Sequence, residues 1–133
     1  MPEAVIIGAG PAGSIAGLIL ARAGWDITIV EQHRFPRNKV CGECLSALGI
    51  SVLERLGLCD HLGALEPAIL NRVCLHPSNG NSFQIELPKP MWGISRSRLD
   101  RYLLDQAVVA GARLLQPWRY EGIEEPNSQS LRV

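Results

Sequence analysis

The stretch Ala4-Val-Ile-Ile-Gly8-Ala-Gly10-Pro-Ala-Gly13, AVIIGAGPAG over residues 4–13, decides the fold. Its apolar residues run without alternation, the pattern of a parallel strand covered on both faces, so a strand is expected over Glu3–Ile7. Three glycines then fall in G-x-G-x-x-G spacing. Gly8 suits a tight turn out of the strand, Gly10 lets backbone approach a pyrophosphate, and Gly13 lets a helix pack closely on the sheet. Pro11 fits the first helical position, where its missing N–H costs nothing. The helix runs on through Leu18 and Arg22 to Gly24, a favourable residue just past a helix end.

A second apolar strand follows, Ile27–Val30, ending in Glu31, 23 positions after Gly8. That is near the distance at which an acid accepts hydrogen bonds from the adenosine ribose of a dinucleotide. The helix N-terminus offers N–H donors and partial positive charge to the phosphates. Glu31 also argues against a 2′-phosphate, which it would repel. The nucleotide is therefore FAD or NAD, and this fingerprint alone does not separate them.

Composition limits the alternatives. The chain has 133 residues, 47% apolar and 20% charged, with 13 basic against 13 acidic side chains. A neutral balance gives no electrostatic reason to expect nucleic acid or an anionic membrane as partner. Residues 4–21 form an uncharged run, but it holds four glycines and Pro11 and follows Glu3, so neither a membrane span nor a signal peptide is expected. With no targeting signal in view, the expectation is a cytoplasmic protein. The four cysteines, at 41, 44, 59 and 74, are too sparse for a disulfide scaffold and fit a reducing compartment.

Three stretches carry a resemblance: VIIGAGPAGSIAGLILARAGWDITIVEQ, RFPRNKVCGECLSALGISVLERLGL and WGISRSRLDRYLLDQAVVAGARLL. In order and spacing the chain resembles the FAD-dependent oxidoreductases of the para-hydroxybenzoate hydroxylase and geranylgeranyl reductase superfamily, over roughly residues 4–115. The Lys-Val-Cys-Gly-Glu run at 39–43 is most similar to the geranylgeranyl reductase branch. The resemblance implies an α/β fold: a Rossmann-like parallel sheet with helices, the start of an antiparallel substrate-side sheet, and a β-meander. It implies one FAD-binding domain, of which residues 1–133 are the amino-terminal part with a truncated carboxyl end, while Met1 just before the first strand leads us to expect a native amino end.

The implied cofactor contacts are Gly8, Gly10, Pro11, Ala12, Gly13, Glu31 and Gln32 around the nucleotide, with Arg34, Lys39, Cys41 and Gly42 on a loop over the flavin. Arg96 is implied to meet the flavin's phosphate or ribityl region, while Arg98 and Arg101 are expected on a solvated face. Cys41 is the one side chain nominated near the reacting centre.

Cys41-Gly-Glu-Cys44 admits other readings. A redox dithiol normally heads a helix in a thioredoxin-like fold, and although Arg37 and Lys39 would favour a thiolate at Cys41, the preceding elements are of another kind. Zinc needs a second ligand pair, and Cys59 with His61 or Cys74 with His76 lack the usual spacing, so no metal is expected. The favoured reading is a cofactor-facing loop, with Cys41 toward the cofactor and Cys44 a small buried residue.

Beyond it, Cys44 is expected to begin a helix with an apolar stripe through Leu56, divided near Gly49 by the capping-box pattern Ser51–Glu54 and stopped by Gly57. Alternation at Val73, Leu75, Phe83, Ile85 and Leu87 around Ser78–Asn81 predicts a hairpin within about 71–90. Its apolar face reads equally as core or as substrate wall. A helix is expected to open over Trp92–Asp100, with Ser95 or Ser97 as cap, and to end at Gly111, followed by a strand over Ala112–Leu115. Trp118–Glu125 and Leu131–Val133 read as the first meander strands.

The functional expectation is flavin-dependent hydride transfer to a C=C bond of a prenyl or other apolar small molecule. An FAD-dependent monooxygenase or halogenase acting on an aromatic or polyketide substrate fits the same frame. NAD(P)H would serve as a transient electron donor, and loose membrane association would follow from a lipid substrate. The reading of another class is a non-catalytic nucleotide-binding fragment that needs the rest of the domain or a partner chain.

Overall fold

The computed structural model describes residues 1–123. In chain order the elements are β1 (Glu3–Ile7), α1 (Pro11–Arg22), β2 (Asp26–Val30), β3 (Cys44–Leu45), α2 (Ala47–Arg55), α3 (Cys59–Leu62), β4 (Ala68–Leu75), β5 (Phe83–Gly93), α4 (Arg96–Val109) and β6 (Arg113–Leu115), with one 3₁₀ turn at Gly63–Leu65. They fall into two compact units. Residues 39–96 form one, and the segments on either side of them form the other.

The flanking unit is the βαβ expected from the glycines. β1 and β2 pair in parallel from Glu3↔Asp26 to Ile7↔Val30, and β2 pairs in parallel with β6, giving the order β1-β2-β6. Leu18 of α1, Ile27 and Ile29 of β2, and Leu103, Leu104 and Ala107 of α4 are fully buried. At roughly 2 kcal/mol for each large aliphatic side chain removed from water, these form the core that holds the sheet. Gly17 lets α1 lie against β2: a Cβ there would come within 2.8 Å of Ile29 Cδ1. β1 departs from the expectation of full cover, since Val5 and Ile7 are about half exposed. It stands at the edge of the three-stranded order, with β2 as its partner among the described residues.

The other unit is antiparallel, in the order β3-β5-β4. The hairpin is where alternation places it, with Val73 opposite Ile85 and Leu75 opposite Phe83. It is longer than expected, because β5 continues past Leu87 through Pro88 and Pro90 to Gly93. Register explains how proline is tolerated there. Pairing with β4 jumps from Arg72↔Glu86 to Leu70↔Met91, so the prolines lie in the bulged interval where no ladder N–H is needed. Beneath α2 and α3, Ile50, Leu53, Leu58 and Leu62 are buried.

Several expected boundaries are corrected. Cys44 starts no helix; it lies in β3, paired with Gly93, and α2 begins at Ala47 behind Ser46, whose Oγ accepts from Gly49 N–H at 3.2 Å. A side-chain acceptor at this cap overrides the Ser51–Glu54 pattern, and α2 passes through Gly49 unbroken. Gly57 ends the segment with φ +70°. Trp92 and Gly93 are strand, and α4 starts only at Arg96. Residues 118–123 form no strand. The remainder of the expected meander, through Glu125 and Leu131–Val133, lies outside the described residues.

Candidate functional site

The site in the flanking unit is built at the β1–α1 turn. Gly8 takes φ +100°, a backbone state that side chains disfavour, and its N–H donates to Val30 O at 2.8 Å, closing the turn onto β2. Gly10 stands at the N-cap of α1 in extended conformation with Pro11 next. The turn thus aims the first backbone N–H groups of α1 outward, toward any anion in front of it. Gly13 has a different task. A Cβ there would overlap the carbonyl oxygen of Gly8 and sit 3.2 Å from Ile6 Cγ2, so its bare Cα is what lets helix and strand meet. Around Gly10, by contrast, there is room: an ideal Cβ would find Arg37 Nη2 as its nearest atom, at 3.9 Å.

Glu31, at the end of β2, is buried. Its Oε2 accepts from Ala9 N–H at 2.9 Å, tying the acid to the glycine turn. Its Oε1 accepts from His33 N–H at 2.9 Å and faces His33 Nδ1 at 3.2 Å. Burial by itself raises the Glu31 pKa, but the Ala9 and His33 N–H donors, the His33 ring and the Arg37 guanidinium together hold it below the ordinary carboxylate value. Each carboxylate oxygen carries two lone pairs, so these bonds leave capacity for ribose hydroxyls.

The loop after β2 is fixed by its neighbours. Phe35 is buried, its N–H donates to Gln116 Oε1 at 3.2 Å, and its carbonyl accepts from Arg101 Nη1 at 3.4 Å. Arg101, expected on a solvated face, is thus partly a loop tether. Arg37 follows on this loop, its guanidinium 4.8 Å over the Phe35 ring. Nε lies 3.9 Å from Glu31 Oε1 and Nη1 lies 3.7 Å from Asp100 Oδ2, both too long for hydrogen bonds. Nε and Nη1 are buried without a hydrogen-bond partner. Buried donors of this kind can be satisfied by an anion, and a phosphate before Gly10 would supply acceptors that a guanidinium fork matches.

Arg37 is the inward-facing cation of this loop, a candidate that sequence reasoning does not single out. Gln32, Arg34 and Lys39, the contacts expected from the sequence, are exposed, and Arg37 takes the inward place. The signals that distinguish it are the aromatic Phe35 two positions earlier and the buried Asp100, and only the fold brings the second of these to it.

In the other unit, Cys41 is exposed and its Sγ accepts from Glu43 N–H at 3.4 Å, with Glu43 in left-handed conformation at φ +53°. That N–H, and next the Arg96 side chain, lower the Cys41 pKa. The cation beside this thiol is Arg96, in place of the expected Arg37 and Lys39. Gly42 has open space about its Cα. Cys44, expected to be buried, is exposed as well, since it lies in the short strand β3, and all four cysteines are free. No group of three or more metal-binding side chains gathers among the described residues.

Residues 1–130 match the FAD binding domain family. The chain is 34% identical over 106 residues to menaquinone reductase of Mycolicibacterium smegmatis, covering 80% of this chain and 25% of that protein. It is 36% identical over 115 residues to digeranylgeranylglycerophospholipid reductase 2 of Methanopyrus kandleri, covering 84% of this chain and 27% of the relative. Among solved structures it is similar to CmlS, a flavin-dependent halogenase, with TM-score 0.78 and 29% identity over 92% of this chain and 24% of that one. The chain thus spans about a quarter of the length of these relatives.

Proposed function

Because the chain belongs to the FAD binding domain family, within the para-hydroxybenzoate hydroxylase and geranylgeranyl reductase superfamily, we propose that it is the dinucleotide-holding part of an FAD-dependent oxidoreductase. The reaction proposed for the whole protein is hydride transfer to a C=C bond of a prenyl or other apolar small molecule. The observation that carries the cofactor reading is Arg37: two buried guanidinium nitrogens that make no hydrogen bond, next to the open Cα of Gly10 and the start of α1.

In this reading the α1 N–H groups and the Arg37 fork bind the diphosphate, with backbone approaching closely at Gly10, Pro11, Ala12 and Gly13. Glu31 accepts from the adenosine ribose while keeping its bond to Ala9 N–H. Arg96 and Cys41, with Gly42, form the second group of contacts, and Cys41 is the side chain proposed nearest the reacting centre. When bound, FAD supplies the hydride chemistry, and the protein supplies binding and orientation. NAD(P)H is the proposed transient source of electrons.

Hydride transfer is favoured because the menaquinone and digeranylgeranylglycerophospholipid reductases are 34% and 36% identical to this chain. The similarity to CmlS supports a second reading, oxygen-dependent halogenation or monooxygenation on the same frame. A third is a non-catalytic fragment that binds nucleotide and requires further polypeptide for turnover. An apolar substrate is compatible with loose membrane association, and no helix among the described residues is long and apolar enough to cross a membrane.

The test is the visible absorption spectrum of the purified chain after FAD is added and excess removed, for wild type and Arg37→Met. Flavin bands retained by wild type and lost by Arg37→Met are expected. A wild-type chain that retains no flavin and binds no ADP would sink the reading.

A further inference from the structure

We infer that Asp100 is a positioning residue whose charge holds Arg37 off Glu31, keeping the guanidinium free for phosphate and Glu31 free for ribose. The inference rests on the dinucleotide reading above and deepens it. Asp100 is fully buried on α4, and Glu31 is buried at the end of β2. Arg37 stands between them, 3.7 Å from one carboxylate through Nη1 and 3.9 Å from the other through Nε. It reaches neither at hydrogen-bond length, and those same two nitrogens make no hydrogen bond. The Phe35 ring, 4.8 Å from the guanidinium carbon, supports the fork in this intermediate place.

A guanidinium beside one buried carboxylate closes on it, because a charge-assisted pair is strongest at short range. Two carboxylates pulling from different segments oppose that collapse. Without the charge at 100, Glu31 is the carboxylate left drawing Arg37, and the pair would close through Nε and Glu31 Oε1. One movement would then remove the phosphate donor and occupy the ribose acceptor. Asp100 touches neither group of the nucleotide in this account; it acts through Arg37.

The experiment measures ADP binding by calorimetry and adenosine binding by NMR titration, on the full chain, for wild type, Asp100→Asn, Arg37→Met and the double variant. Asp100→Asn is expected to weaken both ligands by about tenfold, the scale of one hydrogen bond to a charged group. Arg37→Met is expected to weaken ADP and leave adenosine within about twofold of wild type.

The deciding result is the double variant. Adenosine affinity should return to the Arg37→Met value, since no cation is left to cover Glu31. A generally loosened fold would not be rescued by a second core substitution. Adenosine binding that stays weak in the double variant overturns the inference, as does Asp100→Asn binding like wild type. A wild-type chain that binds neither ligand overturns the dinucleotide reading and the inference with it. Should Asp100→Asn fail to fold by circular dichroism, Asp100→Glu takes its place. It retains the charge and is expected to keep adenosine binding within about threefold of wild type; a tenfold loss that Arg37→Met does not reverse overturns the inference.

Discussion

The three glycines of the β1–α1 segment that touch different things should separate stability from binding when each is changed to alanine. At Gly13 the added methyl would overlap Gly8 O and lie 3.1 Å from Gly8 C. Both belong to backbone, which cannot rotate away, so α1 must move off β1. Overpacking of this kind costs about 3 kcal/mol or more, which at roughly 4 °C per kcal/mol lowers Tm by about 12 °C. At Gly17 the methyl would meet Ile29 Cδ1 at 2.8 Å, the end of a side chain that can shift. The strain of about 1 kcal/mol is offset by a similar gain in helix propensity, and Tm should stay within about 4 °C of wild type.

At Gly10 the backbone has φ −70° and ψ −179°, which alanine adopts readily, and the nearest atom to the new methyl is Arg37 Nη2 at 3.9 Å. Restricting the unfolded chain stabilises by about 0.5 kcal/mol, and alanine's poorer capping of α1 removes a similar amount, so Tm should change little. The same methyl would stand where the diphosphate must approach, so ADP affinity should fall by tenfold or more, roughly 1.4 kcal/mol. Thermal unfolding by circular dichroism and ADP titration read the two effects separately. Gly13→Ala melting within about 2 °C of wild type would refute the packing argument. Gly10→Ala binding ADP like wild type would refute the diphosphate placement.

Two further outcomes follow from the charged groups. Glu31 has its folded pKa below the ordinary value, so its stabilisation is complete above about pH 4.3 and is lost as pH falls through the lowered value. Glu31→Gln should therefore lose about 1–2 kcal/mol at pH 7, with its Tm deficit shrinking between pH 5 and pH 3; a deficit constant across that range would contradict the assignment. Cys41 and Cys44 are both exposed, but the Glu43 N–H and Arg96 lower the pKa of Cys41. Iodoacetamide should label Cys41 about two- to fivefold faster at pH 7, and Arg96→Met should remove most of that advantage; equal labelling of both thiols in wild type would count against the pairing.

The parts of this fold that were legible in the sequence are those fixed by neighbours along the chain. Gly8, Gly10, Gly13 and Glu31 announce strand, turn, helix and strand because each backbone state or contact is set within one βαβ unit. The hairpin around Ser78–Asn81 was legible for the same reason. The misreadings arise where distant residues decide. Ser46 and Ser51 both precede plausible helix starts, and what settles the matter is Cys44 pairing with Gly93, which commits the chain to strand until Ser46. Pro88 and Pro90 look like the end of β5 until the register jump opposite Leu70 and Arg72 is known. Arg34, Arg37 and Lys39 are equivalent along the sequence, and Asp100, far along the chain, helps to set Arg37 apart. Arg96 beside Cys41 is likewise a product of folding.

The bond from Ala9 N–H to Glu31 Oε2 bears on the cost of binding as well as on shape. It joins the glycine turn to the end of β2 inside the fold, so the turn is ordered when the chain folds and not when a nucleotide arrives. Ordering the turn therefore adds no cost at the moment a nucleotide binds there.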